Sequence, residues 1–405
     1  MLALVIRIGA SAWWQQGLET PFRFGDSETY WHLAGKLATG EPYEYGPDRF
    51  AVFRTPGYPL MLVPLFWLFG ETPPVLAARV FGAFLGAATV VGLWWWTKSL
   101  FGERAGLLAA GIGAVYPGAI MTSILVLSEA PFCLALVLQL ALWSSALDHE
   151  TRTARLLRAL GAGIFFGWGV LIRPSWLLFL PFAAGFGLCI ASAKRRQIEV
   201  AAVSLATSIL ILTPWWIRNF VVTGHVVPTT LQTGASLYDG LNPDATGASD
   251  MQFVEDFLED EKKDPSGEGS LEYRLNKRMT AESLTWVSEN PQEAVRLAGV
   301  KFLRMWNIFP NEPSFSSLST RLLLALTYAP VLVLGLYGAV SNFQRGYSYM
   351  LCWLPAVYFS LLHMVFIGSI RYRQPAMLGL IVLAAGTVAT WIARSRKAES
   401  GHHAG

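Results

Sequence analysis

The sequence predicts an all-α polytopic membrane protein of about ten transmembrane helices, with interfacial helices in its first large outer loop. Three observations carry that reading. Charged residues are 15% of the 405-residue chain, against about 25% in soluble domains. Hydrophobic residues are 53% and fall in long runs. Those runs exceed the roughly 9–11 residues of a barrel strand, so the spans are helical. Basic residues, finally, recur in alternate loops.

Hydropathy places spans at 1–18, 75–97, 104–118, 121–145, 157–172, 174–192, 198–217, 320–341, 348–367 and 373–393. The first reads as a retained anchor, with no small-residue cleavage site after it. With this count, Lys98 and Arg104, then Arg152, Arg155 and Arg158, then Lys194, Arg195 and Arg196, then Arg345, and last Arg394, Arg396 and Lys397 share one side. The positive-inside rule makes that side cytoplasmic, as expected for a multi-pass protein of the cell (inner) membrane. The chain divides into an N-terminal membrane module (1–217), a large extracytoplasmic loop (218–319), C-terminal membrane helices (320–393) and a polar tail (394–405) that includes His402 and His403.

The first outer loop, 19–74, contains Leu60 to Phe69, which is apolar but too short to span and is expected to lie in the interface. In the second loop, Asp250 to Ser270 is acidic and rich in Gly and Ser, and is expected to be a mobile surface segment. Leu271 to Glu289 has helical composition. Asn290 is expected to cap the next helix, with Pro291 at its first position. Glu293 to Trp306 then alternates Val295, Leu297, Ala298, Phe302 and Met305 with Arg296, Lys301 and Arg304, as an interfacial amphipathic helix does.

Several function classes are excluded. Cys133, Cys189 and Cys352 lie inside apolar runs, without disulfide or metal-ligand spacing. The scattered histidines suggest no zinc site, and no metal is expected. There is no Gly-rich phosphate loop with Lys, no Rossmann fingerprint, no H-E-x-x-H and no Gly-x-Ser-x-Gly. Basic residues interleave with aromatics at membrane edges, so no nucleic acid is expected, and Trp94–Trp96 reads as an interfacial belt.

On the outer side the charges form a pattern. Arg54, Arg173, Arg218, Arg371 and Arg373 lie near span ends where positive charge is disfavoured, with no lysine among them. Arginine keeps its charge when partly desolvated and matches phosphate oxygens with a planar fork. The set therefore points to an anionic ligand, with snorkelling anchors as the alternative. Asp26, Glu28 and Glu129 share that face. Asp26 is also placed to cap a helix, and Glu129 to pair with an arginine.

The ordered motifs are Gly25-Asp26-Ser27-Glu28-Thr29-Tyr30, Arg54-Thr55-Pro56-Gly57-Tyr58-Pro59, Ser128-Glu129, Arg173-Pro174, Pro214-Trp215-Trp216-Ile217-Arg218-Asn219, Asn290-Pro291 and Arg371-Tyr372-Arg373. This order resembles the bacterial polytopic glycosyltransferases of the GT-C fold. The nearest likeness is to the family of protein O-mannosyltransferases and the lipid A aminoarabinose transferase. The resemblance implies transfer of a sugar from a polyprenyl phosphate to an acceptor protein, lipid or glycan at the extracytoplasmic face of the bilayer. It places the acidic residue of the first loop, here Asp26, at the reaction centre. Ser27 separates Asp26 from Glu28 where family members often have adjacent acids, which leaves the role of Glu28 open. Asp26 is expected to be the general base that takes the acceptor hydroxyl's proton, with Glu28 and Glu129 as candidates to orient the acceptor or tune that base. Tyr30, Tyr58, Asn219 and Tyr372, within the same motifs, are candidates for substrate contact. No cofactor is expected. The rival reading, a transporter or flippase of a lipid-linked sugar or other anion, would place its ionisable residues near the midplane rather than on one face.

Overall fold

The computed structural model describes residues 1–190, 194–265, 267–309 and 317–402, with side chains only to Arg396 in the last helix. In chain order the helices are α1 (Leu2–Gln16), α2 (Gly25–Thr39), α3 (Gly57–Phe69), α4 (Val75–Phe101), α5 (Glu103–Val115), α6 (Pro117–Ile124), α7 (Glu129–Asp148), α8 (Arg152–Ile172) and α9 (Phe179–Ile190). They continue as α10 (Lys194–Thr223), α11 (Thr233–Gly240), α12 (Phe253–Lys263), α13 (Leu271–Glu289), α14 (Pro291–Trp306), α15 (Leu318–Ser341), α16 (Tyr347–Met350), α17 (Leu354–Val365) and α18 (Gln374–His402). No strand occurs among the described residues.

Six helices (α4, α7, α8, α10, α15 and α18) are long and apolar enough to cross a membrane, and α5 with α6 makes a seventh candidate bent by 57°. The expected count of about ten exceeds this for local reasons. The expected spans 104–118 and 121–145 are redrawn, because Pro117 starts a new helix and the chain runs extended at Leu125 before α7 begins at Glu129. The expected 174–192 and 348–367 are split into shorter helices near Pro174 and Pro355. Ala191 and Ser192, at the end of that first segment, lie outside the described residues. The first span is the 15-residue helix α1.

The outer-loop expectations divide the same way. The interfacial helix over Leu60–Phe69 exists as α3, and α13 has the expected limits. The segment drawn as mobile contains α12, whose Phe257 is buried and whose fully buried Glu261 pairs with Arg274 at 2.6 Å. Pro291 opens α14, but the Asn290 side chain donates back to the Trp286 carbonyl (3.0 Å) instead of capping it. Lys301 belongs to the buried face of α14, with Leu297 and Met305, while Val295 is exposed. Its ammonium donates to the Val365 carbonyl (2.7 Å) at the end of α17. The tail drawn as polar continues α18 to His402, and His403 lies outside the described residues.

Contacts tie one end of the bundle together. Arg152 and Arg155 pair with Glu199 (2.7 and 2.8 Å), Ser348 donates to Asp148 (2.9 Å), and Tyr349 donates to the Leu100 carbonyl (2.9 Å). Glu129 and Arg173 occupy the other ends of α7 and α8, and Arg371 pairs with Glu129 and with Asp26 there.

Between the two ends, the bend at α5–α6 needs hydrogen-bond partners, because backbone groups in lipid must be satisfied within the protein. Pro117 has no N–H to give the Gly113 carbonyl four residues earlier. Arg7 of α1, 1% exposed, supplies it instead. Its guanidinium donates to Gly113 (2.9 Å) and Ala114 (3.1 Å) carbonyls and to Ser123 Oγ (3.2 Å). Arg79 of α4 does the same at the far end of α6, donating to the Ile124 carbonyl at 3.0 Å. The two arginines thereby fix the strap that delivers Glu129. Replacing Arg7→Met strands two buried carbonyls, at about 1–3 kcal/mol each. Thermal unfolding of the detergent-purified protein should show that loss, and an unchanged midpoint would refute the capping role.

Candidate functional site

Asp26 lies in the first turn of α2, not at its cap. The helix starts at Gly25 after extended Phe24, and no side chain caps it. The carboxylate turns instead toward two arginines. Arg54 Nη2 reaches Oδ1 at 2.5 Å, and Arg371 Nη2 reaches Oδ2 at 3.4 Å. Burial alone would raise the Asp26 pKa, but Arg54 and Arg371 overcome it and hold the carboxyl below its ordinary 3.8.

Glu129 opens α7 and is 1% exposed. Arg371 Nε lies 2.9 Å and Arg173 Nη1 3.1 Å from its Oε1, so the salt-bridge alternative for Glu129 holds. Arg173 leaves the end of α8 with extended dihedrals, as a residue before proline must. Arg371 is thus shared by two carboxylates. Tyr372 stacks on His363 at 4.3 Å, and the Arg173 and Arg371 guanidiniums lie 5.3 and 5.2 Å from its ring centroid.

These groups line one cavity of about 440 Å³. Asp26, Tyr30, Arg54, Glu129, Arg173, Arg371 and Tyr372 are all in its wall. Part of the wall is apolar, including Leu177, Leu178, Leu362 and Phe366. Leu178 is also 60% exposed, which puts the mouth on the outer surface of the bundle. Three guanidiniums against two paired carboxylates leave the Arg54–Asp26–Arg371–Glu129–Arg173 chain with a formal excess of one positive charge.

The other predicted site residues sit elsewhere. Arg218 donates to the carbonyls of Ala51 (2.6 Å) and Tyr43 (3.0 Å), and Asn219 to the Val227 carbonyl (3.0 Å). Arg218 ties the first loop to the end of α10, and Asn219 ties that end to the segment that follows it. Arg373 is buried over the Tyr328 ring at 3.6 Å and donates to the carbonyls of Met305 and Asn307. Tyr58 is buried behind Tyr30, ring to ring at 5.2 Å. Glu28 is exposed and projects from α2 away from Asp26, two residues along the helix.

Residues that the sequence did not single out also line the cavity: Gln232, Asp239 and His363. Gln232 accepts a hydrogen bond from Arg54. The one available signal was the polar spacing of Thr233, Ser236 and Asp239 within an otherwise mixed stretch.

Comparison with known proteins bears on this geometry. A family model described as dolichyl-phosphate-mannose-protein mannosyltransferase matches residues 54–217. Among solved structures, the archaeal oligosaccharyltransferase AglB of Archaeoglobus fulgidus, in complex with an inhibitory peptide and a dolichol-phosphate, superposes with a TM-score of 0.61 at 16% identity. The match covers 99% of this chain and 51% of AglB. The chain has the GT-C glycosyltransferase fold. An Archaeoglobus fulgidus oligosaccharyltransferase in the apo form gives a TM-score of 0.62 at 16% identity and the same coverages. ArnT from Cupriavidus metallidurans in the apo state matches at 14% identity over 90% of this chain and 72% of its own, with a TM-score of 0.45, too loose a fit to argue from. The chain spans about half the length of AglB. No curated protein sequence matches it.

The shared position of Arg371 makes a prediction. Removing it by Arg371→Met leaves two buried or half-buried carboxylates without their common partner, at about 3–5 kcal/mol. Adding Glu129→Gln should recover part of that loss. Unfolding of the single and double variants measures it, and strict additivity would refute the shared ion pair.

Proposed function

We propose that this protein is a membrane glycosyltransferase that moves a sugar from a polyprenyl-phosphate donor to an acceptor hydroxyl at the extracytoplasmic face. The observation that carries this is the arginine cluster in the cavity wall: Arg54, Arg173 and Arg371 exceed the two carboxylates they pair with by one positive charge, beside an apolar wall that opens on the outer surface of the bundle. One excess charge matches the single negative charge of a phosphodiester. The apolar wall suits the prenyl chain, whose burial is favourable by the hydrophobic effect. The family description that matches residues 54–217 names a lipid-phosphate sugar, and AglB was solved with a dolichol-phosphate. Both support the same donor class.

In this reading Arg54, Arg173 and Arg371 hold the donor phosphate. As the bond from the anomeric carbon to the phosphate oxygen breaks, the leaving phosphate keeps the electron pair and gains negative charge. Fixed guanidiniums stabilise that charge most when it has developed. The acceptor hydroxyl attacks the opposite face of the anomeric carbon, so the configuration inverts. Its proton passes to Asp26. Orientation follows from the basic residues at the far end of the bundle, which the positive-inside rule makes cytoplasmic.

The arginines connect binding to basicity. An arriving phosphate competes with Asp26 for Arg54 and Arg371. Donor binding therefore relieves the depression of the Asp26 pKa and makes it a stronger base at the moment it is needed.

Two outcomes follow. Asp26→Asn should lower transfer about 10²–10⁴-fold while the fold is kept; transfer from undecaprenyl-phosphate sugars at the wild-type rate would end this reading. The base works deprotonated, so the rate falls as pH falls through its pKa. The acid limb of kcat/KM, which reports the free enzyme, should lie below 3.8, and that of kcat at higher pH. Coincident limbs would contradict the competition between phosphate and Asp26.

A further inference from the structure

Helix α11 has two chemically opposed faces. Ala235 and Tyr238 pack with Phe257, Leu275 and Met279. Gly234 lies so close to α13 that a Cβ there would meet the Asn276 carbonyl oxygen at 2.2 Å. These contacts fix how α11 is rotated. The remaining face turns Thr233, Ser236 and Asp239 into the wall of the cavity.

Asp239 is 4% exposed, and no ion pair holds it among the described residues. Its carboxylate accepts from Ser249 Oγ and from the Asp250 N–H, both at 2.7 Å. Two carboxylate oxygens offer about four acceptor positions, so roughly half remain for a ligand. Ser236 makes no side-chain hydrogen bond among the described residues, although it lines the same wall. A polar face of this kind gains little by packing and is costly to desolvate unless something hydrogen-bonds to it.

The position of this face relative to the arginines is fixed. Gln232, which immediately precedes α11, accepts a hydrogen bond from Arg54. A group attached directly to a phosphate on Arg54 therefore falls beside Thr233 and Ser236.

We propose that Thr233, Ser236 and Asp239 form a subsite for the polyhydroxylated ring of the lipid-phosphate donor. Ring hydroxyls donate to Asp239, and the hydroxyls of Thr233 and Ser236 exchange hydrogen bonds with the remaining ring oxygens. The subsite rests on the phosphate reading above and assigns sugar discrimination to α11. Carboxylate acceptors suit this task because a buried acceptor left unpaired penalises a ring that lacks the matching hydroxyl.

The test uses the full chain in nanodiscs and two kinds of probe. One is bare undecaprenyl phosphate; the other is the same lipid phosphate carrying glucose, galactose, mannose or arabinose. The wild type should bind at least one sugar-bearing probe about ten-fold or more tightly than the bare one. Asp239→Asn should erase about ten-fold of that advantage, taken as the ratio of each protein's own Kd values for the sugar-bearing and the bare lipid, so that the charge removed from the cavity wall cancels. Ser236→Ala, which disturbs no hydrogen bond of the fold, should lose part of the advantage in the same direction. The subsite is overturned if no sugar adds affinity, if both variants keep the advantage, or if both weaken the bare lipid equally. An effect confined to the KM of a glycan acceptor would move the ring from donor to acceptor and overturn the assignment made here. A wild type that fails to bind undecaprenyl phosphate would instead overturn the phosphate reading itself.

Discussion

Arg371 bonded to both Asp26 and Glu129 is the constraint on which the rest of the site depends. Glu129 begins a transmembrane helix and is almost completely buried. A carboxylate there is costly unless cations meet it, although the N-terminal end of α7 offers partial positive charge. Arg371 and Arg173 meet it from the turn before α18 and the end of α8. Because Arg371 also reaches Asp26, the first turn of α2 must come to the same place. Four separate segments are thereby held at one point.

The five outer arginines divide by partner. Arg54, Arg173 and Arg371 face carboxylates in the cavity, whereas Arg218 and Arg373 face backbone carbonyls and aromatic rings. The sequence placed all five on one face but could not separate them, because both groups need the same guanidinium at the same depth. What separates them is where chain ends leave carbonyls unpaired. Arg7 and Arg79 make the same point inside the membrane module. Each answers a break in a helix, and the break at Pro117 was hidden in an apolar stretch that hydropathy reads as continuous.

Much of the fold was nevertheless legible. The limits of α13 and the start of α14 follow from composition and from Pro291, and α3 follows from an apolar run too short to span. The Asp26–Glu129–arginine grouping was legible because charge at membrane edges is expensive and so informative. The polar wall on α11 was not. Thr, Ser and Asp in an outer loop are ordinary at the surface, and only the packing of Gly234 and Tyr238 against α13 turns them inward. Lys301 misled for the complementary reason: alternation with apolar neighbours looks the same whether a lysine faces water or caps α17.

A site whose charges already satisfy one another is stable without ligand and selective when one arrives. A neutral molecule cannot replace Asp26 at Arg54 and Arg371, since it would leave the carboxylate and the guanidiniums poorly paired. A dianion would leave the arginine cluster with more negative charge than its one excess positive charge can balance. A monoanionic phosphodiester would bring the five-residue cluster to neutrality and free Asp26 in the same step. Under the proposed transfer, the lipid phosphate becomes a monoester that tends toward a second negative charge, so the arginines that accepted the donor would hold the product against repulsion from Glu129, and from Asp26 once it has released the acceptor's proton. The same two carboxylates that make the empty site stable therefore also favour release.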